Sequence, residues 1–215
     1  MRLSARAALA LLSLLWGCST IDPPIVLSQI VKASPGLLRK VAVAPFDADP
    51  TLRGPGSDPR GVSAGVAADL VTRFVTEALT ARGVAVVPPN DLVVAFESQG
   101  IVLPRGDVAA LAQLAASQFG ATSIIVGSVS RYQEREGGPR GALRPASVSF
   151  NFTLSSAPDG VPAYRVRFDH TQAALSANLF TGLRYPGSGM RWLTAAELGR
   201  WGADNAVADI PGGME

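Results

Sequence analysis

The sequence predicts a single α/β domain with a mixed sheet, in which a parallel β-α-β-α-β half precedes an antiparallel meander and helices pack on the sheet. Residues 41–44 are a continuous apolar run ended by Pro45, which is typical of a strand buried on both faces. Apolar side chains recur at three- and four-residue spacing over residues 66–79, which indicates an amphipathic helix. Residues 148–154 alternate between apolar and polar, which indicates a later strand with one face in water.

The parallel half continues through residue 130. Residues 84–87 form a second short strand, and Asn90 is placed to cap a short helix after it. Asp107 is placed to cap the start of another helix, and Gly120 is placed to end it. Residues 122–130 are the third buried strand, so the element order predicts right-handed crossovers between parallel strands.

The second half is antiparallel and ends in a helix. The segment 132–146 is charged and glycine-rich, and we expect it to be a mobile loop. Residues 157–160 (APDG) have the chemistry of a turn, and residues 164–168 alternate as the next strand. Thr194 and Glu197 form a capping-box pattern at the start of the last helix.

The amino terminus carries an export signal. Arg2 and Arg6 precede residues 7–15, an uncharged and mostly apolar run of nine residues. This run is too short to cross a hydrocarbon core of about 30 Å, which needs about 20 helical residues. A basic start followed by a short apolar run is typical of a secretory signal peptide.

The end of this segment, Leu15-Trp16-Gly17-Cys18, resembles the bacterial lipoprotein signal. The resemblance implies cleavage between Gly17 and Cys18 and lipidation of the Cys18 sulfur, although Trp16 stands where a small residue is usual. By the usual sorting pattern of such lipoproteins, Ser19 implies the outer membrane. The alternative is an ordinary signal peptide followed by an incidental cysteine.

These observations divide the chain into a signal peptide (1–17), a lipid-anchored tether (18–38) and the α/β domain (39–215). Cleavage removes two of the 19 basic residues and none of the 17 acidic ones, so the mature chain is formally neutral. We therefore expect no nucleic-acid binding. The single cysteine and the single histidine, His170, argue against a structural metal site, and we expect no metal or cofactor.

Three segments carry a resemblance to a known fold. VAVAPF (41–46), VAVVP (84–88) and FGATSIIVGSVSRY (119–132) resemble the domain shared by CsgG-like and LpoB-like lipoproteins and by the amino-terminal domain of TolB. The segments YRVRFDHTQAALSANL (164–179) and MRWLTAAELGRWG (190–202) resemble uncharacterised envelope lipoproteins with this domain. The resemblance covers residues 39–210 and implies a binding or assembly factor of the cell envelope.

Two groups of residues are candidates for binding. Asp47 and Asp49 follow the first strand, where ligand or cation sites of α/β sheets lie; ordinary turn chemistry is the favoured alternative. Four residues, Arg184, Tyr185, Arg191 and Trp192, combine the aromatic and arginine types that dominate protein interfaces. The favoured alternative is that they fasten this segment onto its own domain.

Two patterns suggest enzymes and are weaker. Residues 56–63 have the glycine spacing of a phosphate-binding loop, but Val62 stands where that loop needs lysine. His170 next to Asp169 suggests a hydrolase. Adjacent strand residues, however, point to opposite faces, which favours a structural role at the end of the strand.

The sequence therefore predicts a lipid-anchored, periplasm-facing outer-membrane lipoprotein that is not an enzyme. It would contact the membrane through acylated Cys18 and bind an envelope protein, and a homo-oligomer is compatible with this prediction. The alternatives are a subunit of a CsgG-type secretion channel, which needs additional amphipathic hairpins, and a periplasmic hydrolase that uses His170.

Overall fold

The structure is a computed structural model that describes residues 25–32, 34–49, 52, 63–104, 106–173, 184–187 and 190–212. The described helices are α1 (Ala64–Ala81), α2 (Pro89–Glu97), α3 (Val108–Phe119) and α4 (Ala195–Ala208). The described strands are β1 (Val26–Ile30), β2 (Lys40–Val43), β3 (Asp47–Ala48), β4 (Ala85–Val87), β5 (Ser123–Gln133), β6 (Glu136–Gly138), β7 (Gly141–Arg144), β8 (Ser147–Ser156) and β9 (Pro162–Thr171).

The main sheet has the strand order β1-β9-β8-β5-β2-β4, and the short strand β3 also pairs with β5. Strand β2 is parallel to both β4 and β5. The pairs β5–β8, β8–β9 and β1–β9 are antiparallel. The predicted α/β class, with a parallel half followed by an antiparallel meander, is therefore confirmed.

Helices cover the sheet unequally. One face packs against α1 and α4, and its core contains Val41, Val43, Phe150 and Phe168. On the other face, α2 and α3 lie over the parallel half, where Ala42 belongs to a second core cluster. None of the helices in the described ranges is long and apolar enough to cross a membrane.

Three of the predicted helix ends are formed by the residues that the sequence indicated. The Asp107 side chain accepts a hydrogen bond from the backbone N–H of Ala110 at 3.0 Å, and Gly120 ends α3 with φ +62°. Thr194 and Glu197 form the predicted capping box of α4. The predicted cap at Asn90 is wrong: α2 begins at Pro89, whose fixed φ suits the first helical turn.

Two segments contain strands that the sequence did not predict. The segment 132–146 is not one loop, because β5 extends to Gln133 and strands β6 and β7 then form a small antiparallel hairpin. Within the predicted tether, 18–38, residues Val26–Ile30 form β1 and pair with β9, so the sheet includes residues before 39.

Candidate functional site

The face of β1, β9 and β8 that points away from α1 and α4 carries a shallow concavity of about 360 Å³. Because side chains alternate along a strand, the buried residues Val166 and Phe168 lie on the helix-covered face and the arginines between them lie on the opposite one. Six residues line the concavity with their side chains on this second face, and together we call them the basic sheet face: Leu27, Gln29, Asn151, Thr153, Arg165 and Arg167.

The strand register arranges this face in two rows. Arg167 lies opposite Leu27 on β1 and opposite Asn151 on β8. Arg165 lies in the same way between Gln29 and Thr153. The two arginines are two residues apart on one strand, so their Cα atoms are separated by about 7 Å. Both are exposed, and 62% of the Leu27 surface is exposed beside them.

The charge on this face is predominantly positive. Asp169 accepts hydrogen bonds from Arg131 and, at 2.7 Å, from Arg167. Burial alone would raise the pKa of Asp169, but these two guanidinium groups outweigh burial and hold the pKa below its usual value. Asp169 therefore remains ionised at neutral pH and partly balances Arg131 and Arg167. No carboxylate within the described ranges pairs with Arg165.

Among the described residues, strand β1 forms an open edge of the same sheet, since it is the last of the described strands in the order and pairs there only with β9. Its sequence, VLSQI, has no charge and no proline, the devices with which proteins usually protect an edge. Leu27 and Ile30 are 62% and 55% exposed on it. The opposite edge, β4, has only three residues and is followed by Pro88 and Pro89.

His170 fixes the start of this edge strand. Its Nε2 lies 2.8 Å from the carbonyl oxygen of Ile25, and its ring lies between Phe168 and Trp201, with centroids 4.9 and 5.6 Å away. Burial lowers the pKa of His170, although the Ile25 carbonyl and Asp169 oppose this effect. The neutral ring therefore donates its Nε2 hydrogen to Ile25. Asp169 points to the basic sheet face instead, so the predicted separation of the two side chains is confirmed.

The four residues of the predicted partner surface lie at the joint between β9 and α4. Tyr185 is only 3% exposed, with its ring centroid 5.0 Å from that of Trp201. Arg191 donates two hydrogen bonds to Glu197, at 2.7 and 2.8 Å. Trp192 is half-buried and Arg184 is partly exposed.

The same joint is also held by hydrogen bonds to backbone groups. The side chain of the buried Gln172 donates to the carbonyl of Arg191 at 2.9 Å and accepts from the N–H of Leu193 at 2.7 Å. The backbone N–H of Trp192 donates to the carbonyl of Pro139 in the β6–β7 hairpin at 2.9 Å. These contacts fasten the segment onto its own domain.

Asp47 and Asp49 lie in and after β3. The N–H of Asp49 donates to the carbonyl of Val129 at 2.8 Å, and its own carbonyl accepts from the N–H of Leu52 at 2.9 Å. Within the described ranges, no three His, Cys, Asp or Glu side chains form a group that could hold a metal ion. The cleavage and lipidation residues Gly17 and Cys18 lie outside the described residues, as do residues 56–62.

Sequence reasoning missed both the basic sheet face and the β1 edge. The alternation of residues 164–168 gives β9 one buried and one exposed side, and Arg165 and Arg167 are on the exposed side. This signal could have identified the two arginines. Nothing local identified Leu27 and Gln29 as their neighbours, because that depends on the pairing of β1 with β9.

Comparison with known proteins gives similarities to solved structures only, since no protein-family model and no curated protein matches the chain. The PelC dodecamer from Paraburkholderia phytofirmans is 18% identical with a TM-score of 0.41, over 71% of this chain and 86% of that chain. Lipoprotein GNA1162 from Neisseria meningitidis is 17% identical with a TM-score of 0.38, over 67% and 94%. The LpoB C-terminal domain from Escherichia coli is 15% identical with a TM-score of 0.39, over 76% and 94%. These are similarities of fold, and LpoB belongs to the group that the sequence resembles.

Proposed function

We propose that this protein is an outer-membrane lipoprotein that faces the periplasm and binds another envelope protein as a non-enzymatic binding or assembly factor. In this proposal residues 1–17 are removed, Cys18 bears the lipid, and the following residues connect it to the sheet. The domain then begins at β1, because Val26–Ile30 belong to the sheet.

The anchor is supported by the basic start, the short apolar run and the Leu15-Trp16-Gly17-Cys18 segment. Two or more acyl chains hold a protein stably on a bilayer, whereas one binds only marginally. Ile25 follows Cys18 by seven residues, so even a fully extended connection spans at most about 25 Å. The proposed anchor therefore keeps β1 close to the membrane surface.

The observation that carries the binding role is the open edge of β1. An edge strand without charge or proline offers its unpaired N–H and C=O groups to an extended segment of another protein, which adds to the sheet as a further strand. Leu27 and Ile30 supply exposed apolar side chains on both faces of that edge. We expect the partner to contribute an extended, mainly apolar segment.

The contacts of His170 support a binding protein over a hydrolase. A general base needs its nitrogen within reach of a substrate proton, whereas His170 Nε2 is occupied by the Ile25 carbonyl. Asp169, the acid that a hydrolase would use, lies on the opposite face with Arg131 and Arg167. Both side chains therefore have structural partners.

The anchor is tested by labelling cells with radioactive palmitate. We expect label in the wild type and none in Cys18→Ser. Equal labelling of the two proteins, or label in neither, would contradict the lipid anchor.

The binding role is tested by crosslinking in intact cells followed by mass spectrometry. Ile30→Lys places a charge on the β1 edge, and we expect the main crosslinked partner to be lost. Val102→Lys is the matched control, because Val102 is 87% exposed and lies far from β1 in the sequence. A partner captured equally by wild type, Ile30→Lys and Val102→Lys would exclude β1 as the binding edge.

A further inference from the structure

We infer that the basic sheet face lies against the phosphate headgroups of the bilayer that holds the anchor, so that the domain has a fixed orientation on the membrane. This inference rests on the lipid anchor of the proposed function and adds to it a surface for anionic lipid. Three observations support it: the charge of the face compared with that of the helices behind it, the point at which the tether enters, and the shape of the face.

The basic sheet face and the two helices behind it, α1 and α4, carry opposite net charge. Strands β1, β8 and β9 contain three charged residues, Arg165, Arg167 and Asp169, and Arg131 adds a further positive charge beside Asp169. The helices α1 and α4 on the other side contain four acidic residues and two arginines. An anionic leaflet attracts arginine near its surface and repels carboxylates. It therefore favours the orientation in which the basic sheet face is nearest to the lipid.

The tether enters beside this face. Ile25 is fixed by His170, and Leu27, two residues later, already belongs to the basic sheet face. With at most about 25 Å of extended chain between Cys18 and Ile25, the face lies within reach of the headgroups. Helices α1 and α4 are separated from them by the thickness of the sheet.

The side chains of the face match an interface between water and lipid. Arginine binds phosphate oxygens through a planar pair of N–H donors, and Arg165 has no carboxylate partner within the described ranges. Leu27 lies beside Arg167 and can enter the apolar boundary while the arginine stem extends to the headgroup level. The polar side chains of Gln29, Asn151 and Thr153 complete a shallow surface rather than a deep pocket.

The experiment uses the mature, lipidated protein in vesicles. Cys18 is the only cysteine, and its sulfur is occupied by the lipid, so an introduced cysteine is a unique thiol. Gln29→Cys places an environment-sensitive fluorophore on the basic sheet face, and Thr80→Cys places the same fluorophore on the exposed side of α1 as a control. The vesicles contain phosphatidylethanolamine with phosphatidylglycerol, or phosphatidylcholine alone.

We expect a blue-shifted, brighter emission at position 29 in the anionic vesicles, little change in phosphatidylcholine, and no change at position 80 in either. Adding Arg165→Gln lowers the equilibrium constant for the membrane-apposed orientation about fivefold, as expected for one arginine at an anionic surface. Arg165 is chosen because Arg167 also holds Asp169.

Other outcomes overturn the inference. Water-like emission at position 29 in a palmitate-labelled protein refutes the orientation and leaves the lipoprotein proposal standing, whereas absence of label on Cys18 refutes both. A shift at position 29 caused by inorganic phosphate without vesicles indicates a phosphate site instead of a lipid surface. A shift that requires the protein partner and is lost in Ile30→Lys indicates that protein covers this face.

Discussion

Gly202 lies in α4 where the helix crosses β9 and its packing leaves no room for a side chain. A Cβ built at this position would lie 2.7 Å from three carbons of the Phe168 ring. That ring is fully buried, with the centroids of Phe150 and Trp201 at 5.2 and 5.9 Å. Ordinary carbon contacts are about 3.5–4.0 Å, so Gly202→Ala must displace either the ring or the helix by about 1 Å.

Two effects of opposite sign decide the stability of Gly202→Ala. Overpacking of a core costs about 1–3 kcal/mol, and the buried ring with three colliding atoms places this site near the upper end. Alanine is better than glycine in a helix by about 1 kcal/mol. We therefore expect the free energy of unfolding to fall by about 2 kcal/mol, which lowers the Tm by about 4–8 °C for a domain of this size.

The matched control is Gly199→Ala in the same helix. Its Cβ would lie 3.4 Å from the nearest atom, in the Phe74 ring, which is an ordinary contact. The helix preference of alanine then dominates, and we expect unchanged or slightly higher stability. Urea unfolding followed by tryptophan fluorescence and circular dichroism measures both variants, with the m-value as a check on two-state behaviour. Wild-type stability of Gly202→Ala, or the same loss of stability in both variants, would show that the close approach to Phe168 does not determine the outcome.

Three further predictions concern hydrogen bonds and pH. The Arg191 guanidinium holds the pKa of Glu197 at about 2, so the stability that ionised Glu197 adds is complete above the ordinary pKa of 4.5 and is lost as the pH falls towards 2. Glu197→Gln should therefore flatten the acid-unfolding curve between these two pH values. An unchanged curve would contradict a stabilising role for the ionised carboxylate. Burial lowers the pKa of His170, so the free energy of unfolding should fall as the pH drops below the ordinary pKa of 6.5. His170→Phe should remove this pH dependence and speed amide hydrogen exchange in β1. Unchanged slow exchange in β1 would show that another contact holds the strand. The Tyr164 hydroxyl donates a hydrogen bond to Asp209 Oδ2 at 2.6 Å. Tyr164→Phe should therefore lower the free energy of unfolding, measured in urea, by about 1–2 kcal/mol. A variant as stable as the wild type would show that this bond adds no net stability.

The elements that the sequence predicted well are those determined by nearby residues. Asp107 and Thr194 cap helices through side-chain bonds to N–H groups three residues later. The apolar run at 41–44 is buried whatever its neighbours are, because both faces of β2 are covered. Local chemistry is sufficient in these cases, so the parallel half and the last helix could be predicted from the sequence.

The features that were missed depend on distant partners. Strand β1 has five residues and follows Pro23 and Pro24, so its alternation is short, and only pairing with β9 makes it a strand. Tyr185 has the residue type of an interface, but its burial depends on Trp201, which α4 brings to it. In the same way, the basic sheet face exists only because two strands distant in sequence place their polar sides together.

If Cys18 bears the proposed lipid, the pairing of β1 with β9 limits how far the domain can lie from its anchor. With β1 paired and Ile25 bound to His170, the chain from Cys18 to Ile25 spans at most about 25 Å. If β1 were released from β9, the first core side chain would be Leu37, nineteen residues after Cys18, and the reach would grow to about 65 Å. For a chain held at Cys18, the pairing of β1 with β9 thus shortens the greatest distance between the anchor and the first core residue by about 40 Å.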